Sequence, residues 1–126
     1  LDDNITLLEW TSREDIFNIV KHSELYLTTA RYEGLPYAVI ESLALGKPVV
    51  ATDADGNRDL INNNENGFLI QSNDAKELAY SVLKIINNPT ISEAFSKNAL
   101  QLFHKNFDIT SNIYNLEKIY LENIKN

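Results

Sequence analysis

Two glutamates, Glu33 and Glu41, stand with seven residues between them in the stretch from Thr29 to Asp59. A carboxylate has two acceptor oxygens and can therefore hold two neighbouring sugar hydroxyls by two hydrogen bonds. Between the two glutamates lies the expected start of a helix, whose unpaired N–H groups and positive dipole end suit a phosphate group. The layout fits a ligand with sugar hydroxyls on either side of a diphosphate. A nucleotide sugar has this chemistry.

The elements that must position these glutamates can be predicted from the residues that start and stop them. Pro36 suits the first helical turn, where its missing N–H would be unpaired in any case. Gly46, followed by Lys47 and Pro48, ends the helix. The segment Val49-Val50-Ala51 is typical of a buried parallel strand. Apolar residues at helical spacing form the inner stripe of the helix: Val39, Ile40, Leu43 and Ala44.

The rest of the chain alternates short apolar strands with helices. Strands are expected at 5–8, 25–29, 48–52 and 68–70. Helices are expected after the capping box of Ser12 and Asp15, at 57–61, from a cap at Asn73 or Asp74 to before Pro89, at 91–103 and at 110–124. This order predicts the α/β class, with a three-layer, doubly wound, Rossmann-like parallel sheet and extra C-terminal helices in one domain.

Three apolar faces are expected to be buried. The first helix would bury Ile16, Phe17, Ile19 and Val20. The helix after Asp74 would bury Leu78, Val82, Leu83, Ile85 and Ile86. The last helix carries a stripe of Ile113, Leu116, Tyr120 and Ile124.

The central stretch resembles the E-x7-E region of the retaining glycosyltransferases of family 4, of the glycosyl transferases group 1 type. The matching pieces, in the family's order and spacing, are Glu33-Gly34-Leu35-Pro36, Glu41-Ser42-Leu43-Ala44, Gly46-Lys47-Pro48-Val49 and Ala51-Thr52. A looser match continues through Asn66-Gly67-Phe68-Leu69. The resemblance implies the donor-binding C-terminal half of a GT-B fold. The chain contains no methionine, so we do not expect Leu1 to be a native translation start, either because a segment was removed or because the chain is cut from a larger protein. The resemblance favours the cut and implies a single nucleotide-sugar-binding domain over 1–126, truncated at its N-terminus, with the acceptor-binding half absent.

The resemblance also implies roles for individual residues. Glu33 would be the catalytic carboxylate near the donor hexose, where it orients the sugar and stabilises developing positive charge without acting as a nucleophile. Glu41 would accept hydrogen bonds from the ribose. Backbone N–H groups near the helix start would hold the diphosphate. The donor-binding set is then Gly34, Leu35, Tyr37, Ala38 and Glu41.

Other residues with chemical potential have a competing structural interpretation. Tyr32 and Tyr37 could contact the sugar or base, although aromatics beside a strand end are more often packing residues. The segment Asp53-Ala54-Asp55 matches the D-x-D pattern of metal-binding glycosyltransferases of the other major fold, but it is also turn chemistry. His22 and His104 lie near helix ends, where a partial positive charge is favourable. We expect no metal and no cofactor.

The composition of the chain limits the classes of partner and site that we expect. A net charge of −7 without a basic cluster argues against nucleic acid, and the absence of cysteine excludes disulfides and thiolate metal sites. Arg31 and Lys47 are the basic residues near the motif, while Arg13 is interpreted as surface charge. The resemblance implies a UDP- or GDP-hexose donor and a glycan or lipid-linked acceptor. It also implies a cytoplasmic parent, peripheral to the inner face of the bacterial plasma membrane, that builds cell-surface polysaccharide.

Alternatives from other classes remain. A non-catalytic or degenerate glycosyltransferase-like α/β interaction module would share the fold without binding donor. A receiver-like module would need an acidic cluster after its first strand, which the sequence lacks. A sugar epimerase or phosphorylase is a third possibility, and a phosphorylase would need a cofactor-lysine region that is not seen. The chain alone is expected to show no transfer and at best weak donor binding.

Overall fold

The computed structural model describes residues 2–124, which form an α/β arrangement around a small parallel sheet. The strands are β1 (Tyr26–Thr28), β2 (Val49–Thr52) and β3 (Gly67–Ile70), side by side in that order. Both pairs are parallel, with Tyr26 opposite Val49 and Val49 opposite Gly67. The middle strand is therefore flanked on both edges, and its four residues are all buried.

Helices connect and cover these strands. After a 3-10 turn at Asp2–Asn4, the helices of the described residues are α1 (Arg13–His22), α2 (Tyr37–Ala44), α3 (Asp55–Arg58), α4 (Ala75–Ile86), α5 (Pro89–Asn106) and α6 (Ile109–Ile124). Helix α2 makes the crossover from β1 to β2, as a parallel pair requires. Helix α3 begins the connection from β2 to β3.

The apolar core is split by the sheet into two clusters. Successive strand residues point to opposite faces, so Val49 and Ala51 face one side and Val50 faces the other. The first cluster joins these two to α2 and α5 through Val39, Leu43 and Ala99. The second joins Val50 to β3, α4 and α5 through Phe68, Ile70, Ile85 and Phe95. Helices thus cover both faces, which confirms the three-layer, Rossmann-like α/β fold.

Local start and stop signals are confirmed at several helix ends. The Ser12 hydroxyl accepts from the Asp15 N–H at 3.2 Å, and the Asp74 carboxylate accepts from the Glu77 N–H at 2.9 Å. Gly46 has φ 66°, the left-handed conformation expected after a helix end. Pro36 precedes the first helical residue as the N-cap, one position earlier than predicted.

The strand predicted at 5–8 is wrong. These residues adopt no strand, and the sheet begins instead at β1. Leu7 is 89% and Trp10 is 93% exposed, so no surface of the described residues covers these apolar side chains. The consequence extends to α1, in which no residue is buried although an apolar face was expected there.

Two further packing predictions are wrong, and several predicted boundaries are shifted, those of α3 and α5 the most. The stripe on α6 (Ile113, Leu116, Tyr120 and Ile124) is exposed, since no described element covers it. On α4, Ile85 is buried and Leu78 and Val82 are partly buried, whereas Leu83 and Ile86 face outward. Helix α3 starts two residues before the predicted 57, because the turn after β2 already begins at Asp55.

Candidate functional site

Two loops at the carboxyl ends of the strands touch each other. The loop after β1 carries Glu33 and Gly34, and the segment after β2 leads into α3, whose second residue is Gly56. The Gly56 N–H donates to the Glu33 carbonyl oxygen at 2.9 Å. A Cβ at position 56 would lie 2.2 Å from the Gly34 carbonyl oxygen, so only glycine permits this contact. The packing of the two loops therefore depends on Gly56.

Gly34 has the opposite environment. A Cβ built at Gly34 would meet no atom within 4 Å, and Gly34 lines a cavity of about 390 Å³. The space beside this loop is therefore open, and the packing of the chain itself does not require glycine at position 34. This cavity, called the Glu33 cavity below, is lined by residues of both loops: Arg31, Tyr32, Glu33, Gly34, Asp53, Ala54 and Asp55.

The start of α2 presents unpaired backbone donors. Its N-cap is Pro36, which offers no side-chain hydrogen bond to the first turn. Within residues 2–124, the N–H groups of Tyr37 and Ala38 have no hydrogen-bond partner. These are the N–H groups that we predicted from the sequence to hold a diphosphate. The positive end of the helix dipole favours an anion at this position. Leu35, Tyr37 and Ala38 are exposed and lie outside the Glu33 cavity.

Glu41 lies one turn into α2 and is already paired. Its Oε1 accepts from Arg13 Nη2 at 2.8 Å, with the Glu41 side chain 36% and the Arg13 side chain 79% exposed. The Arg13 guanidinium also stands 5.3 Å from the centroid of the Phe17 ring. Arg13 was interpreted as surface charge, and no local signal could link it to a partner 28 positions away. Glu41 does not line the Glu33 cavity.

The pKa of the Tyr26 phenol depends on its burial and on the charges of both glutamates. Burial raises the pKa of Tyr26 above its ordinary value of 10.0, and the negative charges of Glu33 and Glu41 raise it further. Tyr26 packs against the first core cluster, to which α2 contributes Val39 and Leu43. The two carboxylates therefore belong to one electrostatic neighbourhood, although they do not share a cavity.

The Asp53 and Asp55 carboxylates are both held by Arg58. Arg58 Nε lies 2.5 Å from Asp53 Oδ1, and Arg58 Nη1 lies 2.7 Å from Asp55 Oδ1. Gln71 Nε2 also donates to Asp53 Oδ2 at 3.2 Å. The hydrogen bond from Arg58 is the main reason that the pKa of Asp53 is lowered. Across the described residues, no group of three or more acidic, histidine or cysteine side chains is arranged for a metal ion.

The remaining candidate residues differ in their exposure and in their hydrogen-bond partners. Tyr32 and Tyr37 are exposed, so the packing interpretation is wrong for both, and Tyr32 lines the cavity. Lys47 Nζ donates to the Ser23 carbonyl oxygen at 2.8 Å and thereby links the connection between α2 and β2 to the segment before β1. His22 Nδ1 lies 2.8 Å from the Asn18 carbonyl oxygen, and His104 Nδ1 lies 3.3 Å from Asp108.

Comparison with known proteins identifies the family. Residues 1–102 match the family described as glycosyl transferases group 1. The chain belongs to the glycosyl transferases group 1 family. A relative of this glycosyltransferase-family chain in Escherichia coli, UDP-Gal:alpha-D-GlcNAc-diphosphoundecaprenol alpha-1,3-galactosyltransferase, is 28% identical over 126 residues. That match covers 100% of this chain and 32% of the relative, so the chain spans about a third of the relative's length.

Solved structures place the fold among GT-B glycosyltransferases. HepE from Anabaena, in complex with UDP-glucose, is 25% identical with a TM-score of 0.77, over 87% of this chain and 30% of HepE. Sucrose-phosphate synthase from Thermosynechococcus elongatus has a TM-score of 0.86 at 21% identity, over 98% of this chain and 31% of the synthase. The second likeness concerns the fold alone. No helix of this glycosyltransferase-family chain within residues 2–124 is both long and apolar enough to cross a membrane.

Proposed function

We propose that this chain is the nucleotide-sugar-binding part of a retaining hexosyltransferase. The observation that carries the proposal is the Glu33 cavity at the carboxyl ends of a parallel sheet, in the same loop that leads to the uncapped start of α2. Open α/β sheets bind their ligands outside the carboxyl ends of the strands. The complex of the structurally similar HepE with UDP-glucose supports this choice of ligand.

Each part of the donor has a matching group. Glu41 accepts hydrogen bonds from the ribose hydroxyls through the carboxylate lone pairs that Arg13 leaves open. The N–H groups of Tyr37 and Ala38 hold the diphosphate. The backbone of Gly34 borders the hexose in the Glu33 cavity, since a Cβ at Gly34 would meet no atom within 4 Å, and the backbone of Leu35 continues from there toward the diphosphate. Glu33, which lines the same cavity, contacts the hexose hydroxyls.

The reaction of the parent enzyme needs little covalent chemistry from the protein. The acceptor hydroxyl oxygen bonds to the anomeric carbon as the bond from that carbon to the diphosphate oxygen breaks. The electron pair leaves with the nucleoside diphosphate, and the hydroxyl proton passes to a phosphate oxygen. Attack and departure on the same face retain the configuration. The Glu33 carboxylate stabilises the positive charge that develops on the sugar, and no metal is required.

The main acceptor-binding region belongs to the rest of the parent protein. This chain spans 32% of its E. coli relative, and we propose that the acceptor-binding half lies outside it, so that the chain alone transfers no sugar. The name of that relative specifies a diphosphoundecaprenol-linked acceptor, which supports a glycan or lipid-linked acceptor here. The setting would be cell-surface polysaccharide synthesis at the cytoplasmic face of a bacterial membrane.

Amide chemical shifts test the donor site directly. The ¹⁵N-labelled chain is titrated with UDP, GDP and ADP, and shifts centred on residues 34–41 are expected for the preferred base. A charge-assisted hydrogen bond is worth about 1.5–3 kcal/mol, so Glu41→Ala should weaken binding by roughly ten- to a hundredfold. Glu93→Ala, an exposed glutamate on α5, is the matched control and should bind as the unchanged chain does. Equal affinity in Glu41→Ala and Glu93→Ala would reject the assignment.

The Arg13–Glu41 ion pair favours one rival function, a degenerate module that has kept the fold and lost the ligand. In that case Glu41 serves only as a salt-bridge partner. The rival predicts no saturable shift with any of the three nucleotides at millimolar concentration, both in the unchanged chain and in Arg13→Ala. Saturable shifts near Glu41 in either protein would exclude it.

A further inference from the structure

A second cavity lies beside the Glu33 cavity and has no role in donor binding as described. Its volume is about 360 Å³, within the range of roughly 300–1,000 Å³ typical of small-molecule sites. It extends from the ends of β1 and β2 to the loop between β3 and α4. Uncharged polar side chains make up much of its wall: Thr29, Thr52, Gln71, Ser72 and Asn73.

These polar groups retain hydrogen-bonding capacity. Within the described part of the chain, the side chains of Thr29, Ser72 and Asn73 make no hydrogen bond, and Gln71 uses one N–H on Asp53. Thr52 donates to the Ala30 carbonyl oxygen and keeps its own acceptor lone pairs. Donors and acceptors are therefore both available, as a ligand with several hydroxyl groups requires.

The charges around this cavity favour an uncharged ligand. Arg31 is its cationic residue and Asp74 its anionic one, so their formal charges cancel. The Asp74 carboxylate caps α4 by accepting from the Glu77 N–H at 2.9 Å, which sets a negative charge at the point where a phosphate would bind the helix start. Ala75 and Leu78 add an apolar patch to the wall, suited to the C–H face of a sugar ring.

The two cavities are immediate neighbours. Arg31 lines both of them. Asp53 lines the Glu33 cavity, Gln71 lines the second, and Gln71 Nε2 donates to Asp53 Oδ2 at 3.2 Å. One hydrogen bond therefore forms part of the partition between them.

We propose that the second cavity binds an uncharged sugar unit of the acceptor, beside the donor hexose in the Glu33 cavity. This inference rests on the proposed donor site. It assigns to this domain a share in acceptor recognition and makes Arg31 the residue that faces both sugars.

Amide shifts of the ¹⁵N-labelled chain test the proposal, with the methyl α-glycosides of glucose, galactose and N-acetylglucosamine as probes. At least one glycoside should give saturable shifts at Ser72, Asn73 and Ala75, and the Arg31 Nε–H signal should respond to that glycoside and also to UDP-glucose. Ala75→Leu fills the cavity and should weaken glycoside binding at least tenfold. Ala79→Leu, one turn further along the exposed side of α4, is the matched control and should leave it unchanged.

A side-chain deletion adds a second check that does not rely on bulk. Asn73 has φ 71°, which glycine adopts without strain, so Asn73→Gly removes the amide and keeps the backbone. It should weaken glycoside binding and leave nucleotide binding unchanged.

Three outcomes overturn the inference, and they are distinguishable. Nucleotide shifts at residues 34–41 without glycoside shifts at 72–75 would refute the acceptor cavity alone. Glycoside shifts that persist in Ala75→Leu would place the sugar elsewhere. Glycoside shifts without any nucleotide response would refute the donor site, and with it the acceptor role.

Discussion

Gly56 and Gly34 lie on opposite sides of the contact between the two loops, and alanine should destabilise the chain at Gly56 but not at Gly34. A Cβ at Gly56 would lie 2.2 Å from the Gly34 carbonyl oxygen and 3.0 Å from that of Glu33, both backbone atoms that cannot rotate away. A Cβ at Gly34 meets nothing within 4 Å. Neither glycine has the left-handed conformation, so the contrast is one of space alone.

The magnitude follows from three contributions. Overpacking costs about 1–3 kcal/mol, and loss of the hydrogen bond from Gly56 to the Glu33 carbonyl adds about 1 kcal/mol. Alanine regains up to about 1 kcal/mol as a better helix former than glycine. We expect Gly56→Ala to lower the free energy of unfolding by about 2 kcal/mol, which is roughly 5–10 °C in Tm for a chain of this size.

Thermal unfolding followed by circular dichroism measures this difference. Gly34→Ala, whose new methyl group enters open space, should remain within about 0.5 kcal/mol of the unchanged chain. That same methyl group projects into the cavity, so Gly34→Ala should lose affinity for UDP-glucose without losing stability. Equal Tm values for Gly56→Ala and Gly34→Ala would refute the claim that the two loops are in contact.

Three smaller effects follow from charges. Arg13→Ala should cost less than about 1 kcal/mol of stability, and its coupling to Glu41→Ala in a double-mutant cycle should fade at high salt. The double variant Glu33→Gln, Glu41→Gln should lower the pKa of Tyr26, measured by the NMR shift of its phenol carbon, yet leave it above 10.0 because burial is the larger cause. The pKa of Asp53 is lowered in the folded chain, so its contribution to stability is present above its ordinary pKa and disappears as pH falls through the lowered value. Asp53→Asn should therefore flatten the acid limb of a stability–pH curve at and below the ordinary pKa of 3.8.

The sequence predicts those features that neighbouring residues determine. The Ser12 and Asp74 caps, the left-handed Gly46 and the buried Val49-Val50-Ala51 strand each depend on a few consecutive positions. The strand at 5–8 and the buried stripe of α6 failed for the opposite reason. Their apolar patterns describe side chains that need a partner surface, and a pattern does not report whether such a surface lies beside it.

The same division holds in the candidate site. Glu33, Glu41 and the start of α2 are placed by local helix signals, and the structure keeps them at the ends of the strands. The contact of Gly56 with the Glu33 loop, the pairing of Arg13 with Glu41 and the bond from Gln71 to Asp53 each join residues at least 18 positions apart. Only the three-dimensional arrangement of the strands brings them together.

The turn before β3 has a consequence for the chemical ageing of the chain. Asn-Gly sequences deamidate when the glycine nitrogen attacks the asparagine side-chain carbonyl, and Asn66-Gly67 is such a pair. Here Asn66 is buried, its Oδ1 accepts from the Asn62 N–H at 2.9 Å, and its Nδ2 donates to the Leu60 carbonyl oxygen at 3.0 Å. Folding therefore holds the side chain in place, and the reaction proceeds from molecules in which this turn has opened. A slow gain of one negative charge at Asn66 during storage would record how often that happens.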